Sequence, residues 1–234
     1  MSVFSLSAYR AQWPRIGGVL ALGVGGAATL AAGKLTKPQL LSALNVGALL
    51  VHQYEEYQDP GYFPGQFNRG IFKSDSPRTY PLNANTALWI NTATCYPVYI
   101  VPVLFPKRRW LGLAPALFGI AQAGIHGILF PRRARIGGSA YTYSPGALSA
   151  LLLHVPLGLA YIAALREDGP IGRADWAKGV AYMLAIAALG FGAPNALLND
   201  ERSPYAFTEA QMGPYNSTPP TTDQESDTPP WMGR

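Results

Sequence analysis

The residues with the clearest capacity for chemistry form one short group, "HQYEE", at residues 52–56. In a helix, positions i, i+3 and i+4 share one face, so His52, Glu55 and Glu56 would place an imidazole beside two carboxylates. Adjacent carboxylates repel each other unless one keeps a proton or a cation lies between them. We therefore expect either a metal site or a carboxylic acid that is positioned to donate a proton.

The other two histidines of the chain, His126 and His154, also fall in apolar segments rather than in polar loops. Imidazole nitrogens and carboxylate oxygens together suit zinc or non-haem iron. The expected ligands of such a divalent metal are His52, Glu55, Glu56 and His126, with Glu55 or Glu56 as the catalytic carboxylate. We expect hydrogen-bonding support for these ligands from polar residues on neighbouring segments, namely Asn91, Gln122, Tyr143, His154 and Asn195.

A simpler interpretation stays open for these residues. A histidine in a membrane helix is often a hydrogen-bonded packing residue, and this applies most to His154. Residues 52–56 could also form an exposed helix end at the level of the lipid headgroups, because "YQDPGY" follows directly.

The composition indicates a membrane protein. Only 13% of the residues are charged, against about 25% in soluble domains, and these charges lie in clusters between long apolar segments. Each apolar segment approaches the ~20 residues that a bilayer-spanning helix needs. We predict an all-α, polytopic transmembrane helix bundle of about five to six spans, at residues 16–33, 39–57, 83–105, 110–130, 145–166 and 174–198.

The chain divides into a predicted membrane domain over residues 1–200 and a polar, Pro-rich tail over 201–234. The tail cannot bury a hydrophobic core, so we expect it to be disordered. The first span could be a cleaved signal peptide, but its long apolar run favours a retained helix. The connection after residue 57 is rich in Pro, Gly and aromatic residues, and we expect an ordered loop over the end of the second helix.

The net charge of +5 does not indicate a nucleic-acid partner, because the basic groups "PKRRW" and "PRRARIGG" stand at the ends of apolar segments. That position is typical of side chains that contact anionic lipid headgroups. Basic residues divide almost equally between the two sides of the predicted bundle, so they predict no orientation. The expected partners are the lipid bilayer and a lipophilic small molecule.

A second motif, "YSPG" at residues 143–146, precedes the fifth predicted span. Proline is tolerated in the first turn of a helix, and serine is a frequent N-cap. We therefore expect Ser144 to cap this helix, with Pro145 in its first turn. Tyr143 would then lie at the rim of the site, near His126.

The "HQYEE" group, the later histidine at position 126 and the "YSPG" motif occur in this order in a known family. On these residues the chain resembles the HXXEE-domain family, a group of predicted membrane proteins of uncharacterised function. The resemblance covers roughly residues 40–165. It implies that these residues belong to one site, without implying which reaction occurs there.

The leading hypothesis is an integral membrane metalloenzyme that acts on a lipophilic substrate, as a hydrolase with zinc or as an oxidoreductase with iron. One alternative is a metal-free isomerase or cyclase in which Glu55 or Glu56 donates a proton. Another is a non-enzymatic transporter, ion-binding or assembly subunit whose buried histidines and carboxylates relay protons. A soluble globular protein is a remote third class.

Overall fold

The computed structural model describes residues 5–137, 139 and 141–216, and over these residues the fold is all-helical, without strands. This confirms the predicted fold class. A 3₁₀ turn, Ala32–Lys34, extends the first helix. The helices are α1 (Leu6–Ala31), α2 (Lys37–Tyr57), α3 (63–71), α4 (Ala84–Leu104), α5 (Arg109–Arg133), α6 (Ala147–Glu167), α7 (Arg173–Leu197) and α8 (Glu209–Met212).

Five of the helices, α1 and α4 to α7, are long and apolar enough to cross a membrane, which indicates a multi-pass membrane protein. Helix α1 begins ten residues before the predicted start at 16, because the Ser5 side chain accepts a hydrogen bond from the Ala8 amide at 3.1 Å and caps it.

Helix α2, the second predicted span, is absent from this apolar set because its last turns are rich in polar and acidic residues. It lies at the centre of the bundle and packs against α1, α4 and α6. Most of its side chains over residues 42–57 are buried or half-buried among these neighbours, so α2 can carry polar side chains that a lipid-facing helix could not.

Consecutive long helices run antiparallel, so the same end of the bundle carries the connections 58–83 and 134–146 and the segment 198–216. We call it the loop end. Contacts join the three segments there: the Tyr215 hydroxyl donates to the Ala134 carbonyl at 2.5 Å, and the Phe207 amide donates to the Arg78 carbonyl at 2.8 Å.

Each of helices α4 to α7 contains a π-helical stretch that ends two residues before a proline. Proline lacks an N–H group, and its ring displaces the carbonyl four residues earlier, so the helix widens in the preceding turn. Asn91, His126 and His154 lie in three of these stretches. The pairs are Trp89–Cys95 with Pro97, Ile125–Leu129 with Pro131, Ala150–His154 with Pro156, and Ala187–Gly192 with Pro194.

The connection after α2 is ordered, as expected, and folds over the end of that helix. The buried Asn68 side chain holds it by accepting from the Leu82 amide at 3.0 Å and donating to the Leu82 and Pro77 carbonyls at 2.7 Å. Phe63 of α3 packs its ring against that of Tyr57, with centroids 5.8 Å apart. The loop therefore closes the loop end above α2.

The predicted tail differs from the structure over residues 201–216. This part packs on the bundle and buries Phe207, Met212 and Tyr215, so it is ordered, contrary to the expectation for the tail. These three side chains supply enough hydrophobic surface for packing, although the composition of the whole tail is polar. The rest of the predicted tail, residues 217–234, lies outside the described residues.

Candidate functional site

The last turns of α2 bury the imidazole and both carboxylates of the "HQYEE" group. His52 is 2% exposed, Glu55 8% and Glu56 7%. The three residues lie on adjoining parts of the helix surface, as their spacing predicted. The simpler interpretation, an exposed helix end, is therefore wrong for these side chains.

One cluster combines groups from α2 and α5. The Glu56 Oε1 atom lies 3.7 Å from His52 Nε2 and 3.4 Å from His126 Nε2. Each of the three side chains offers one ligand atom, and these atoms all lie within 4.8 Å of one another. The structure thus brings together three of the four expected ligands, and we call them the His–Glu–His cluster.

The hydrogen bonds behind His52 determine which ring nitrogen carries the proton. Ser149 Oγ lies 2.5 Å from Glu55 Oε2, to which it donates its hydrogen, and 3.0 Å from His52 Nδ1. Because the serine hydrogen is used, His52 Nδ1 must be the donor in the second contact. The lone pair of the neutral ring is therefore on Nε2, which faces the cluster.

His126 also carries its proton on Nδ1. Ser144 Oγ donates to Gln66 Oε1 at 2.6 Å, and the amide orientation of Gln66 follows because its Nε2 donates to the Tyr143 carbonyl at 3.2 Å. His126 Nδ1 lies 3.1 Å from Ser144 Oγ and must donate to it. His126 Nε2 therefore also presents a lone pair to Glu56.

The cluster consequently joins three hydrogen-bond acceptors. Two Nε2 atoms and a carboxylate oxygen face one another, and His52 Nε2 is buried without a hydrogen-bond partner among the described residues. Buried acceptors require a donor or a cation. A divalent metal between the three atoms, or a proton on Glu56, would meet this requirement.

Glu55, the fourth expected ligand, is engaged elsewhere. Its Oε1 accepts from the Leu148 amide at 3.1 Å and from the Tyr143 hydroxyl, and its Oε2 accepts from the Ser149 amide at 2.8 Å and the Ser149 hydroxyl. These donors belong to the "YSPG" loop and the first turn of α6. Glu55 therefore positions the start of α6 instead of joining the His–Glu–His cluster.

This arrangement corrects the expected role of Ser144. The side chain does not cap α6, and Pro145 precedes the helix, which begins at Ala147. Helix N-terminal amides need acceptors, and the Glu55 carboxylate of another helix supplies them. Ser144 remains available for His126 as a result.

Tyr143 lies at the rim of the site, as expected, and is 38% exposed. Partial burial and the hydrogen bond to Glu55 raise the pKa of its hydroxyl. The hydroxyl therefore stays protonated and remains a donor to Glu55 at neutral pH.

Gly146 is the residue of the "YSPG" motif that packs most closely on the cluster. Its φ of +99° lies in the left-handed region, which side chains disfavour. A Cβ atom at this position would lie 2.8 Å from His126 Nδ1 and 2.8 Å from His52 Cε1. Only glycine lets the loop pass this close to both imidazoles.

A cavity of about 240 Å³ adjoins the cluster. Among the described residues that line it, Glu56 is the only acidic or basic side chain apart from the two imidazoles. Aromatic residues form much of the wall: Tyr57, Phe63, Phe67, Phe118, Phe130 and Phe191. The cavity therefore presents an apolar space beside a polar cluster.

Three of the expected supporting residues, Asn91, Gln122 and Asn195, line this cavity. Asn91 Nδ2 donates to the Tyr57 hydroxyl at 3.3 Å, and Asn195 Nδ2 donates to the Phe191 carbonyl at 2.7 Å. Among the described residues, no hydrogen bond joins these three side chains to the His–Glu–His cluster.

His154, the remaining supporting residue, packs its ring against the ring of His52 with centroids 5.3 Å apart. Its Nδ1 lies 3.1 Å from Asn45 Oδ1. Since Asn45 belongs to the deeper part of α2, His154 serves as a packing and hydrogen-bonding neighbour of His52 outside the His–Glu–His cluster.

Sequence reasoning missed four residues that hold the site: Asn45, Gln66, Ser149 and Gly146. A signal existed for Gly146, which is the last residue of "YSPG", and for Ser149, which follows it by three residues. Gln66 lies in the loop after α2, and no local pattern connects it to His126. The structure supplies that connection through Ser144.

A comparison with protein families places this geometry in context. The family described as "Protein of unknown function with HXXEE motif" matches residues 43–161, just over half of the chain. The chain belongs to the HXXEE family. No curated protein and no solved structure matches this HXXEE protein.

The family match contains the whole His–Glu–His cluster, the "YSPG" loop and His154. Helix α1, helix α7 and the segment 201–216 lie outside it. In this HXXEE protein α7 nevertheless lines part of the cavity, through Ala187, Phe191 and Asn195.

Proposed function

We propose that this protein is an integral membrane enzyme with one divalent metal on His52, Glu56 and His126, acting on a lipophilic molecule in the adjoining cavity. The observation that carries the proposal is the convergence of two imidazole Nε2 atoms and a carboxylate oxygen within 4.8 Å of one another. Three acceptors without a donor are typical of a ligand set.

The spacing of the ligand atoms supports this assignment. Tetrahedral zinc with bonds of ~2.0–2.1 Å keeps its ligand atoms roughly 3.3–3.4 Å apart. The Glu56 oxygen lies 3.4 Å and 3.7 Å from the two imidazole nitrogens, so both pairs that include Glu56 are close to this spacing. Both imidazoles also have the Nδ1 hydrogen bonds that orient metal ligands.

Three protein ligands would leave one coordination position open toward the cavity, as in catalytic rather than structural sites. Zinc there would activate water for hydrolysis, whereas iron on two histidines and a carboxylate would support oxidation. The Tyr57 hydroxyl accepts a hydrogen bond from Asn91 and lines the cavity, so its own hydrogen can be donated to a bound substrate.

The cavity supports a lipophilic substrate. Its wall is mainly aromatic and aliphatic, and its polar groups away from the cluster are uncharged. Such a space favours apolar molecules and penalises the burial of an additional charge. A helix bundle that spans a bilayer can receive such molecules from the surrounding lipid.

Metal analysis of the purified protein tests the proposal. We expect about one zinc or iron per chain in the wild type, and loss of most of it in His126→Ala. His154→Ala is the matched control, since this buried histidine contacts the ring of His52 but lies outside the cluster. Metal-free wild-type protein with an intact fold would contradict the proposal.

That outcome would instead favour the second candidate, a metal-free acid–base isomerase or cyclase. The same cluster carries it, because a protonated Glu56 would donate its hydrogen to His126 Nε2 at 3.4 Å. A buried carboxylic acid beside an apolar cavity is suited to protonating a substrate such as an alkene.

A further inference from the structure

A second cavity, of about 340 Å³, lies at the loop end and has no lining residue except Tyr57 in common with the cavity at the His–Glu–His cluster. Tyr57 lines both cavities. Helix α1 and the segment 204–211 form most of the second wall. A single aromatic side chain therefore stands between two spaces that are different in polarity.

Arg10 gives the second cavity a positive charge, because it is the only charged residue that the structure places in the lining. Its Nε donates to Asn85 Oδ1 at 3.1 Å, and its guanidinium lies 4.0 Å above the centre of the Tyr205 ring. Within the described part of the chain, neither Nη atom donates a hydrogen bond, and no carboxylate lines the cavity.

These contacts fix the plane of the guanidinium and leave its terminal donors free. A planar pair of N–H donors matches carboxylate or phosphate oxygens in a bidentate arrangement. The polar side chains Ser7, Thr208 and Gln211 also line the cavity, whereas Trp13 and Phe207 provide apolar walls. The lining therefore suits an anion that is attached to an apolar group.

The depth of the cavity agrees with an amphiphile. Trp13 of α1 packs against Tyr57 of α2, so these residues lie at the same level of the antiparallel pair. Arg10 precedes Trp13 by three residues, which places it roughly 6 Å further out along the bundle axis than Glu56. Along the bundle axis, a head group at Arg10 would therefore lie about one helical turn further out than a reacting group at the cluster.

We propose that the cavity at Arg10 binds the anionic head group, phosphate or carboxylate, of an amphiphilic substrate. The chain of that amphiphile passes Tyr57 into the apolar cavity. This inference rests on the proposed function, because it names the class of lipophilic molecule that the cluster would act upon.

Calorimetric titration of the full-length protein in phosphatidylcholine nanodiscs tests the inference. The protein is first stripped of metal with a chelator, so the outcome does not depend on the proposed metal site. The probes are decyl phosphate, decanol and inorganic phosphate. Arg10→Gln is compared with Arg15→Gln, since Arg15 is an exposed arginine on the same helix that bonds Gln58 and Gln12 instead of lining the cavity.

We expect Arg10→Gln to weaken decyl phosphate binding by roughly 10- to 100-fold, as the loss of a charge-assisted hydrogen-bond pair would. Arg15→Gln should bind decyl phosphate like the wild type, and decanol should bind all three proteins equally. Equal decyl phosphate affinity in Arg10→Gln and Arg15→Gln would overturn the inference. Inorganic phosphate that bound as tightly as decyl phosphate would also overturn it, since the site would then serve a free anion.

Decanol binding also reports whether Arg10→Gln is folded. If that variant loses decanol binding, Ala11→Trp provides the second test, because Ala11 lines the cavity and is exposed. This variant keeps Arg10 and fills the space beside it. We expect it to lose decyl phosphate binding and retain that of decanol, and unchanged decyl phosphate binding would overturn the inference.

Discussion

Glu55 and Glu56 are neighbours in sequence and almost equally buried, but their surroundings are opposite. Glu55 accepts hydrogen bonds from two backbone amides, a tyrosine and a serine. Glu56 faces two histidine nitrogens that have no hydrogen to offer it. The first carboxylate is fully satisfied by the protein, and the second is not.

Adjacent identical residues can therefore have different roles, one structural and one chemical. Glu55 uses its hydrogen bonds to position the start of α6, and through Ser149 it also orients His52. Glu56 retains its capacity for a cation or a proton. Buried acceptors that the protein itself leaves without donors are candidates for function.

Substitution of Glu56 by Gln should produce the largest effect of any change in this comparison. The amide is a poor metal ligand, so we expect at least ~100-fold weaker metal affinity. This loss is larger than the one expected when a hydrogen bond to a metal ligand is removed. Competition with a chelator of known affinity measures this. Equal metal affinity in Glu56→Gln and wild type would show that Glu56 is not a ligand.

Substitution of Glu55 by Gln should have a different signature. An amide nitrogen in place of one oxygen would face hydrogen-bond donors, so we expect a loss of about 2–3 kcal/mol in the free energy of unfolding. Metal affinity should fall roughly 10- to 100-fold because Ser149 and His52 lose their orientation. Denaturant titration and chelator competition measure the two effects. A metal loss as large as that of Glu56→Gln, with unchanged stability, would reverse the assigned roles.

Gly146→Ala tests the loop that Glu55 positions. Both its left-handed φ and the approach of the new Cβ to two imidazoles oppose the change, so we expect about 1–3 kcal/mol lower stability and weaker metal affinity. Gly137→Ala is the matched control, since Gly137 has φ +59° with open space around it. It should show the backbone effect alone, with metal affinity unchanged. Similar metal affinities in the two variants would contradict the close packing on the histidines.

Tyr143→Phe should have the smallest effect, about 0.5–1.5 kcal/mol, because Glu55 keeps its three other donors. Burial and Glu55 raise the pKa of Tyr143 above its ordinary value of 10.0. The contribution of its hydroxyl is therefore complete below pH 10 and is lost as the pH rises through the higher value in the folded protein. Unfolding of wild type and variant at pH 7 and pH 10.5 measures this. A stability difference that grew with pH would contradict the assignment.

Much of the fold followed from the sequence, since apolar length and clustered charge predict a helix bundle. The central position of α2 was less apparent, because its polar residues resemble an exposed helix end until neighbouring helices are placed around them. The order in residues 201–216 was hidden because Phe207, Met212 and Tyr215 stand in a largely polar segment. Their burial depends on surfaces distant in sequence.

The sequence predicted which residues form the candidate site better than it predicted the role of each residue. Helical spacing grouped His52 with both carboxylates, but spacing alone could not distinguish Glu55 from Glu56. The distinction depends on where the first turn of α6 lies, which is a tertiary contact. The hydrogen-bond partners of His126 were also hidden, because Gln66 reaches Ser144 across a separation of 78 residues.

X-ray absorption at the K-edge of the bound metal identifies the ligand atoms themselves. We predict two imidazole nitrogens and carboxylate or water oxygens at ~2.0–2.2 Å, one imidazole around the small amount of metal that His126→Ala retains, and an unchanged spectrum in His154→Ala. A sulfur scatterer from Cys95, or a spectrum that changes with His154 but not with His126, would contradict the assignment of His52, Glu56 and His126 as the metal ligands.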